Sequence, residues 1–253
     1  MTIKNRDLMA GLAKGLKVIE AFTAERPKLS IAEAADATQY DRATTRRCLL
    51  TLAELGYCAY DGKYFTVTPR ILRLGTGCLA AMPLPRIVQP YIDQLSEKIH
   101  QSTSVSILDG KEIVYVARAA QQRVMSVTLM PGSRLPAYCT SMGRVLLAAL
   151  PDDQVKDLLL AEDLVARTPN TETSPDRLLD NLQQIRKHGY AAIDQEVEMG
   201  LRSIAVPLTD FRQRTVAALN VGFAATTESL DSMVQKYLPA LKAIQSEISG
   251  TLR

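Results

Sequence analysis

Residues 29–73 read LSIAEAADATQYDRATTRRCLLTLAELGYCAYDGKYFTVTPRILR. This stretch decides the fold of the first part of the chain. Ser30 is an N-cap residue type, and Glu33 stands at capping-box spacing behind it. Ile31, Ala34 and Ala35 form a narrow face of small apolar residues, which lets a second helix pack closely. The pattern breaks over Thr38–Tyr40, and Asp41 is placed to cap the next helix. That helix is expected to run to about Leu55, with Cys48, Leu49, Leu52 and Leu55 toward the core. Gln39 occupies a turn position where glycine is common in such units. Gly56 then stops the helix, and two β-prone runs flank Asp61-Gly62, a hairpin signal. Helix, turn, basic helix and hairpin in this order make a winged helix-turn-helix, a module that lays one helix in the major groove of DNA. Arg42, Thr44, Arg46 and Arg47 are the groove candidates. Lys63, at the hairpin tip, is the candidate backbone contact. A merely solvated basic helix is the competing reading.

Charge distribution agrees with the DNA-binding reading. The net charge is only +3, too small to imply nucleic acid alone. Residues 1–75, however, hold 12 Lys+Arg against 8 Asp+Glu, whereas residues 76–253 hold 18 against 19. The 253 residues suggest two modest domains. The four cysteines and two histidines show no metal spacing. No C-x-x-C pair, P-loop, G-x-S-x-G or dinucleotide fingerprint occurs, so neither metal nor cofactor is expected. With no signal-peptide pattern and no apolar run of about 18 residues, a cytoplasmic protein off the membrane is expected.

Upstream, Ala10–Phe22 reads as an amphipathic helix with Leu12, Leu16, Ile19 and Phe22 on one stripe. Pro69 opens a linker helix over 69–82 whose surplus apolar residues suit packing against a second copy, and Pro83 and Pro85 interrupt it. The expected division is 1–68, 69–83 and 84–253. Helices are expected over Val88–Ile99, around Leu146–Leu150, from Ser174-Pro175 to Lys187 and over Leu230–Leu252. Strands are expected over Thr103–Leu108, Ile113–Ala117, Val124–Met130, Ile204–Leu208 and Val216–Phe223. The fold class is therefore α+β, with one mainly antiparallel sheet in the second domain.

Three features of the second domain bear on chemistry. Thr140 and Ser141 stand at a helix start, where free amides suit a carboxylate or phosphate, with Arg134 or Arg144 nearby. Simple N-capping explains the same two residues. Ser203 and Asn220 are polar points on apolar strands, facing either a cavity or solvent. Asp194, Glu196 and Glu198 alternate, which suits either an acid/base site or an acidic surface.

Taken together, the first helix, the helix-turn-helix, the wing ending in Phe65-Thr-Val-Thr-Pro-Arg70, the linker helix and the closing helix resemble the IclR family of bacterial transcription regulators. Leu135-Pro-Ala-Tyr-Cys-Thr-Ser-Met-Gly-Arg-Val-Leu-Leu-Ala148 and Ala10-Gly-Leu-Ala-Lys-Gly-Leu16 are similar to the branch controlling aromatic-acid catabolism through β-ketoadipate. The resemblance implies a GAF-like effector domain and a dimer or tetramer on a palindromic promoter site. It also implies RNA polymerase as a further partner of an activator, and a small aromatic or dicarboxylic acid as effector. The implied pocket surrounds Ser141, Met142 and Gly143 and the strands carrying Val127, Leu135, Ser203, Asn220 and Gly222. Thr140–Arg144 and Arg134 would hold the carboxylate, and Val127, Leu129 and Leu135 the ring. Two rival readings remain: a constitutive regulator whose C-terminal domain only oligomerises, and an enzyme acting on small acids through the acidic trio.

Overall fold

A computed structural model of the chain describes residues 7–23, 25–121, 129–160, 164–225 and 228–252. The chain divides into two units, Met1–Ala80 and Ala81–Arg253.

In the first unit, α1 (Ala10–Glu20), α2 (Ile31–Thr38) and α3 (Arg42–Glu54) pack beside a small sheet. That sheet is β1 (Lys28–Leu29), β2 (Cys58–Tyr60) and β3 (Phe65–Val67), in the antiparallel order β1-β3-β2. The capping box closes α2: Ser30 N donates to Glu33 Oε2 at 2.7 Å, and Glu33 N donates to Ser30 Oγ at 3.3 Å. Gln39 ends α2 in the left-handed region at φ 59°, and its amide donates to the Asp36 carbonyl at 2.6 Å. A side-chain bond thus supports a backbone conformation that glycine adopts without steric cost. Asp41 Oδ1 accepts Thr44 N at 2.8 Å and starts α3. In the wing turn, Asp61 Oδ1 accepts the amides of Lys63 and Tyr64, and Gly62 sits at φ 102°.

The core here is Val18, Leu29, Ala34, Leu49 and Phe65. It corrects the expected stripe on α1 and the end of the one on α3. Val18 and Ala21 carry the α1 contact, while Leu12 and Leu16 are exposed. On α3, Leu49 is buried and Cys48 and Leu52 pack against the core as expected, whereas Leu55, beyond the last helical residue, is exposed and Thr45 is buried instead. The chain continues through a single 3-10 turn at Pro69–Ile71 into α4 (Leu72–Ala81). As expected, the linker helix ends before Pro83; Pro83 and Pro85 then lie in the first turn of a new helix, α5 (Pro83–Ile99). First-turn amides have no acceptor within their helix, so proline costs nothing there.

Among the described residues, the second unit is built on a six-stranded antiparallel sheet, order β6-β5-β4-β9-β8-β7. Its strands are β4 (Ser102–Asp109), β5 (Glu112–Ala119), β6 (Arg134–Pro136), β7 (Ala191–Asp194), β8 (Leu201–Thr209) and β9 (Thr215–Ala224). The expected strand over Val124–Met130 falls largely on 122–128, outside the described residues; Leu129 and Met130 themselves are not in a strand. The remaining helices are α6 (Ser141–Ala148), α7 (Asp152–Leu160), α8 (Pro175–His188) and α9 (Leu230–Ser249). One sheet face is large and apolar: Val105, Val116, Ile204, Val206, Leu219 and Val221 pack on α5 and α9 through Ile92, Leu95, Tyr237 and Leu241. Each such Leu, Ile or Val contributes about 1.5–3 kcal/mol by burial. The opposite face carries smaller residues, Ala205 and Ala218 among them, and is covered by α6, on which α8 packs in turn.

β5 contains the irregularity that shapes this second face. Val105 pairs with Ala117, but Ser106 pairs with Tyr115, so Val116 is an extra residue. Such a bulge reverses the in-and-out phase of the strand beyond it.

Candidate functional site

The basic helix α3 presents Arg42, Arg46 and Arg47 as exposed residues and Thr44 as a half-buried one. Arg42 and Arg46, four residues apart, lie on one flank. Thr44 and Arg47 border a groove between α1 and α3, together with Leu12, Leu16, Leu52, Leu55 and Leu74. Lys63 is exposed at the wing, its ammonium 4.9 Å from the centre of the Tyr64 ring.

The second unit contains a polar cleft between the α6 start and the smaller-residue face of the sheet. Ser102, Tyr115, Arg118, Leu129, Leu135, Thr140, Ser141, Met142, Val197, Leu201, Ser203, Asn220 and Gly222 line it. They close over a cavity of about 40 Å³. Register explains why these residues meet. Arg118, Ser104 and Asn220 are direct partners across β5, β4 and β9. Ser102, Gly222 and Ser203 form the next row across β4, β9 and β8. Ser203 and Asn220, left open between cavity and solvent by the sequence, are buried and face the cleft.

At the α6 start, Thr140 Oγ1 accepts Gly143 N at 3.1 Å and donates to the Pro136 carbonyl at the same distance. Thr140 is thus the N-cap as well as a lining residue. Ser203 donates to Ser141 Oγ at 2.8 Å, and Ser106 donates to Met142 Sδ at 3.2 Å. Arg118 Nη1 donates to Ser104 Oγ at 3.0 Å. Among the described residues no carboxylate lies within ion-pair distance of Arg118. Burial lowers its pKa, and burial pushes the Tyr115 phenol up to about 12.

Three predicted site residues lie elsewhere. Arg134 is exposed and ion-paired with Asp109 at 2.8 Å and Glu112 at 2.6 Å. Because its neighbour Leu135 faces the cleft, strand alternation turns Arg134 away. Arg144 is buried behind the cleft. Its guanidinium donates to Glu196 at 2.5 Å, the Tyr138 carbonyl at 2.8 Å and Asn181 Oδ1 at 3.4 Å, so its donors already have partners. Gly143 is a packing residue: a Cβ there would overlap the Ala137 carbonyl oxygen and Cα. Val127 lies outside the described residues. Leu129, Leu135, Thr140, Ser141, Met142, Ser203, Asn220 and Gly222 come together as lining. Arg118, Tyr115, Ser102, Val197 and Leu201 were not anticipated. Simple alternation from Ile113 and Tyr115 places Arg118 on the opposite face, and only the bulge brings it into the cleft.

The acidic trio does not converge as a paired-carboxylate site. Asp194 accepts two bonds from Arg202, at 2.7 and 3.1 Å, which hold its carboxyl below the usual range. Glu196 holds Arg144.

A winged-helix unit followed by a sheet domain with a small polar cleft defines a DNA-binding regulator with a separate sensory domain. The model of the IclR helix-turn-helix domain matches residues 11–62, and that of the bacterial transcriptional regulator IclR C-terminal domain matches residues 76–250. The chain belongs to the IclR family of bacterial transcriptional regulators. It is 43% identical to the Pca regulon regulatory protein of Pseudomonas putida, over 97% of this chain and 85% of that one. It is 34% identical to the p-hydroxybenzoate hydroxylase transcriptional activator of Acinetobacter baylyi, over 97% and 93%. Among solved structures, it is similar to a double mutant of the PobR transcription factor inducer-binding domain from Acinetobacter, in complex with 3-hydroxybenzoic acid. The TM-score is 0.62 at 30% identity, covering 66% of this chain and 98% of that one. These relatives are regulators, and the chain is placed with them rather than with enzymes.

Proposed function

We propose that this protein controls genes of aromatic-acid catabolism in response to a small aromatic or dicarboxylic acid held in the cleft. The observation that carries this reading is a half-buried guanidinium, Arg118, facing a cleft whose described lining includes no other charged group. The names of the similar regulators and the benzoate-class acid on the PobR domain support it. Arg42, Thr44, Arg46 and Arg47 enter the major groove, and Lys63 meets the flanking backbone. Two copies bind a palindromic promoter site, with tetramers formed from such dimers. Exposed Leu12, Leu16, Leu55, Leu72 and Leu74 supply apolar surface for a second copy. In an activator the complex would also meet RNA polymerase. The protein acts in the cytoplasm. The proposed division of labour is 1–68 for DNA, 69–83 as linker and 84–253 for the effector.

Effector binding alters DNA activity only through unequal affinity for two conformations, and the linker helix is the element proposed to couple them. The test is calorimetric titration of the intact protein with protocatechuate, 4-hydroxybenzoate, β-ketoadipate, muconate and benzoate, alongside promoter binding. Saturable binding of one acid per subunit, with a changed promoter affinity, is expected. Promoter binding that persists while no acid binds would leave a constitutive regulator and reject the sensor.

A further inference from the structure

We infer that Arg118 anchors the carboxylate of the effector, and that the Ser141–Ser203 hydroxyl pair receives a second polar group at the far end. The inference rests on the cleft being the effector site, as proposed above. The bond from Arg118 Nη1 to Ser104 Oγ draws the guanidinium from its own strand, β5, over β4. From β4 to β8, where Ser203 stands, are two strand spacings, about 10 Å. That span suits an acid built on a single ring. A Cβ built on Gly222, in the middle of the second row, meets nothing within 4 Å, so the backbone there leaves room above the sheet.

The electrostatics point the same way. Arginine is a planar fork that binds carboxylates in two parallel hydrogen bonds. Arg134 and Arg144, the other arginines flanking the α6 start, already hold carboxylates of the chain. Arg118 holds only a neutral hydroxyl among the described residues. A partly desolvated cation facing a cavity favours an anionic occupant, and Leu129, Leu135, Met142 and Val197 offer apolar walls to the rest of it. At the far end the Ser141 and Ser203 hydroxyls bond to each other, and each can donate or accept. This end selects for a hydroxyl or carbonyl oxygen across the ring from the acid.

The cavity as it stands, about 40 Å³, holds water rather than a ring. Entry of an aromatic acid therefore requires the apolar walls to part and the Arg118–Ser104 bond to be exchanged for one to the ligand.

The decisive measurement is the preference for an acid over its neutral amide. The intact protein and its Arg118→Met and Arg118→Lys variants are titrated with 4-hydroxybenzoate, protocatechuate and their amides. Wild-type protein should prefer acid to amide by at least about tenfold, the scale of one charge-assisted contact. Arg118→Met should bind acid and amide alike, and Arg118→Lys should keep part of the preference, with promoter binding intact in both. Loss of folding would not reproduce this pattern, because it removes both ligands together and abolishes the Arg118→Lys rescue. Ser203→Ala should narrow the preference for 4-hydroxybenzoate over benzoate. If wild-type protein binds the amide as tightly as the acid, or if Arg118→Met keeps the preference, the anchor is overturned while the sensor reading stands. If wild-type protein binds no acid of the panel, the sensor reading fails and takes this inference with it.

Discussion

Replacing Arg144 by methionine tests whether the ion pair behind the cleft is structural. Its side chain is 4% exposed and that of Glu196 11%, so both charges are withdrawn from water. Three hydrogen bonds leave the guanidinium, and the Glu196 carboxylate also accepts Glu172 N at 3.0 Å. Arg144→Met removes the cation and leaves a buried carboxylate supported by the Glu172 amide. Breaking a buried pair in this way costs about 3–5 kcal/mol, because the remaining charge has lost its compensation. For a unit of this size each kcal/mol moves Tm by about 2–4 °C, so the transition of the second unit should fall by about 6–20 °C. Scanning calorimetry measures it. The double variant Arg144→Met/Glu196→Leu removes the orphaned charge and should recover much of the loss, giving a favourable coupling between the two sites. A single variant that melts with the parent refutes the reasoning, and so does a double variant no more stable than Arg144→Met.

Three further outcomes are expected. Gly143→Ala drives a methyl into the Ala137 carbonyl and strains the Thr140 cap, costing about 1–3 kcal/mol for overpacking and about 1 kcal/mol for the cap; urea unfolding reads the sum. Replacing Arg42, Arg46 and Arg47 together by alanine should weaken promoter binding and flatten its salt dependence, by about one unit of slope for each phosphate no longer neutralised, as measured by fluorescence anisotropy. An unchanged affinity rejects the proposed docking. With a disulfide reagent at neutral pH, exposed Cys78 should react first and half-buried Cys48 more slowly, whereas buried Cys58 and Cys139, pushed up to about 11, react only on unfolding. Because those two thiols ionise near 9 when unfolded and near 11 when folded, their contribution to stability is complete below pH 9 and declines as pH rises toward 11. A melting temperature flat across that window would contradict it.

Features governed by neighbouring residues were legible in the chain. Ser30 and Glu33, Asp41 and Thr44, the Asp61-Gly62 turn and the glycine stop at Gly189 all act within a few residues, so spacing alone reveals them. The winged helix-turn-helix, the α+β class and eight of the thirteen lining residues of the cleft, Thr140 to Met142 among them, followed from such signals and from the family resemblance. Side-chain direction over longer range was not legible. Leu12 and Leu16 look like core by periodicity, yet Val18 fills that place, because period alone cannot say which face of a helix has a partner. Arg144 and Glu196 are joined across 52 residues, a contact only folding brings about. Arg118 reaches the cleft because one extra residue, Val116, shifts the phase of β5 against β4. A bulge is a property of two paired strands, and neither strand's sequence contains it alone.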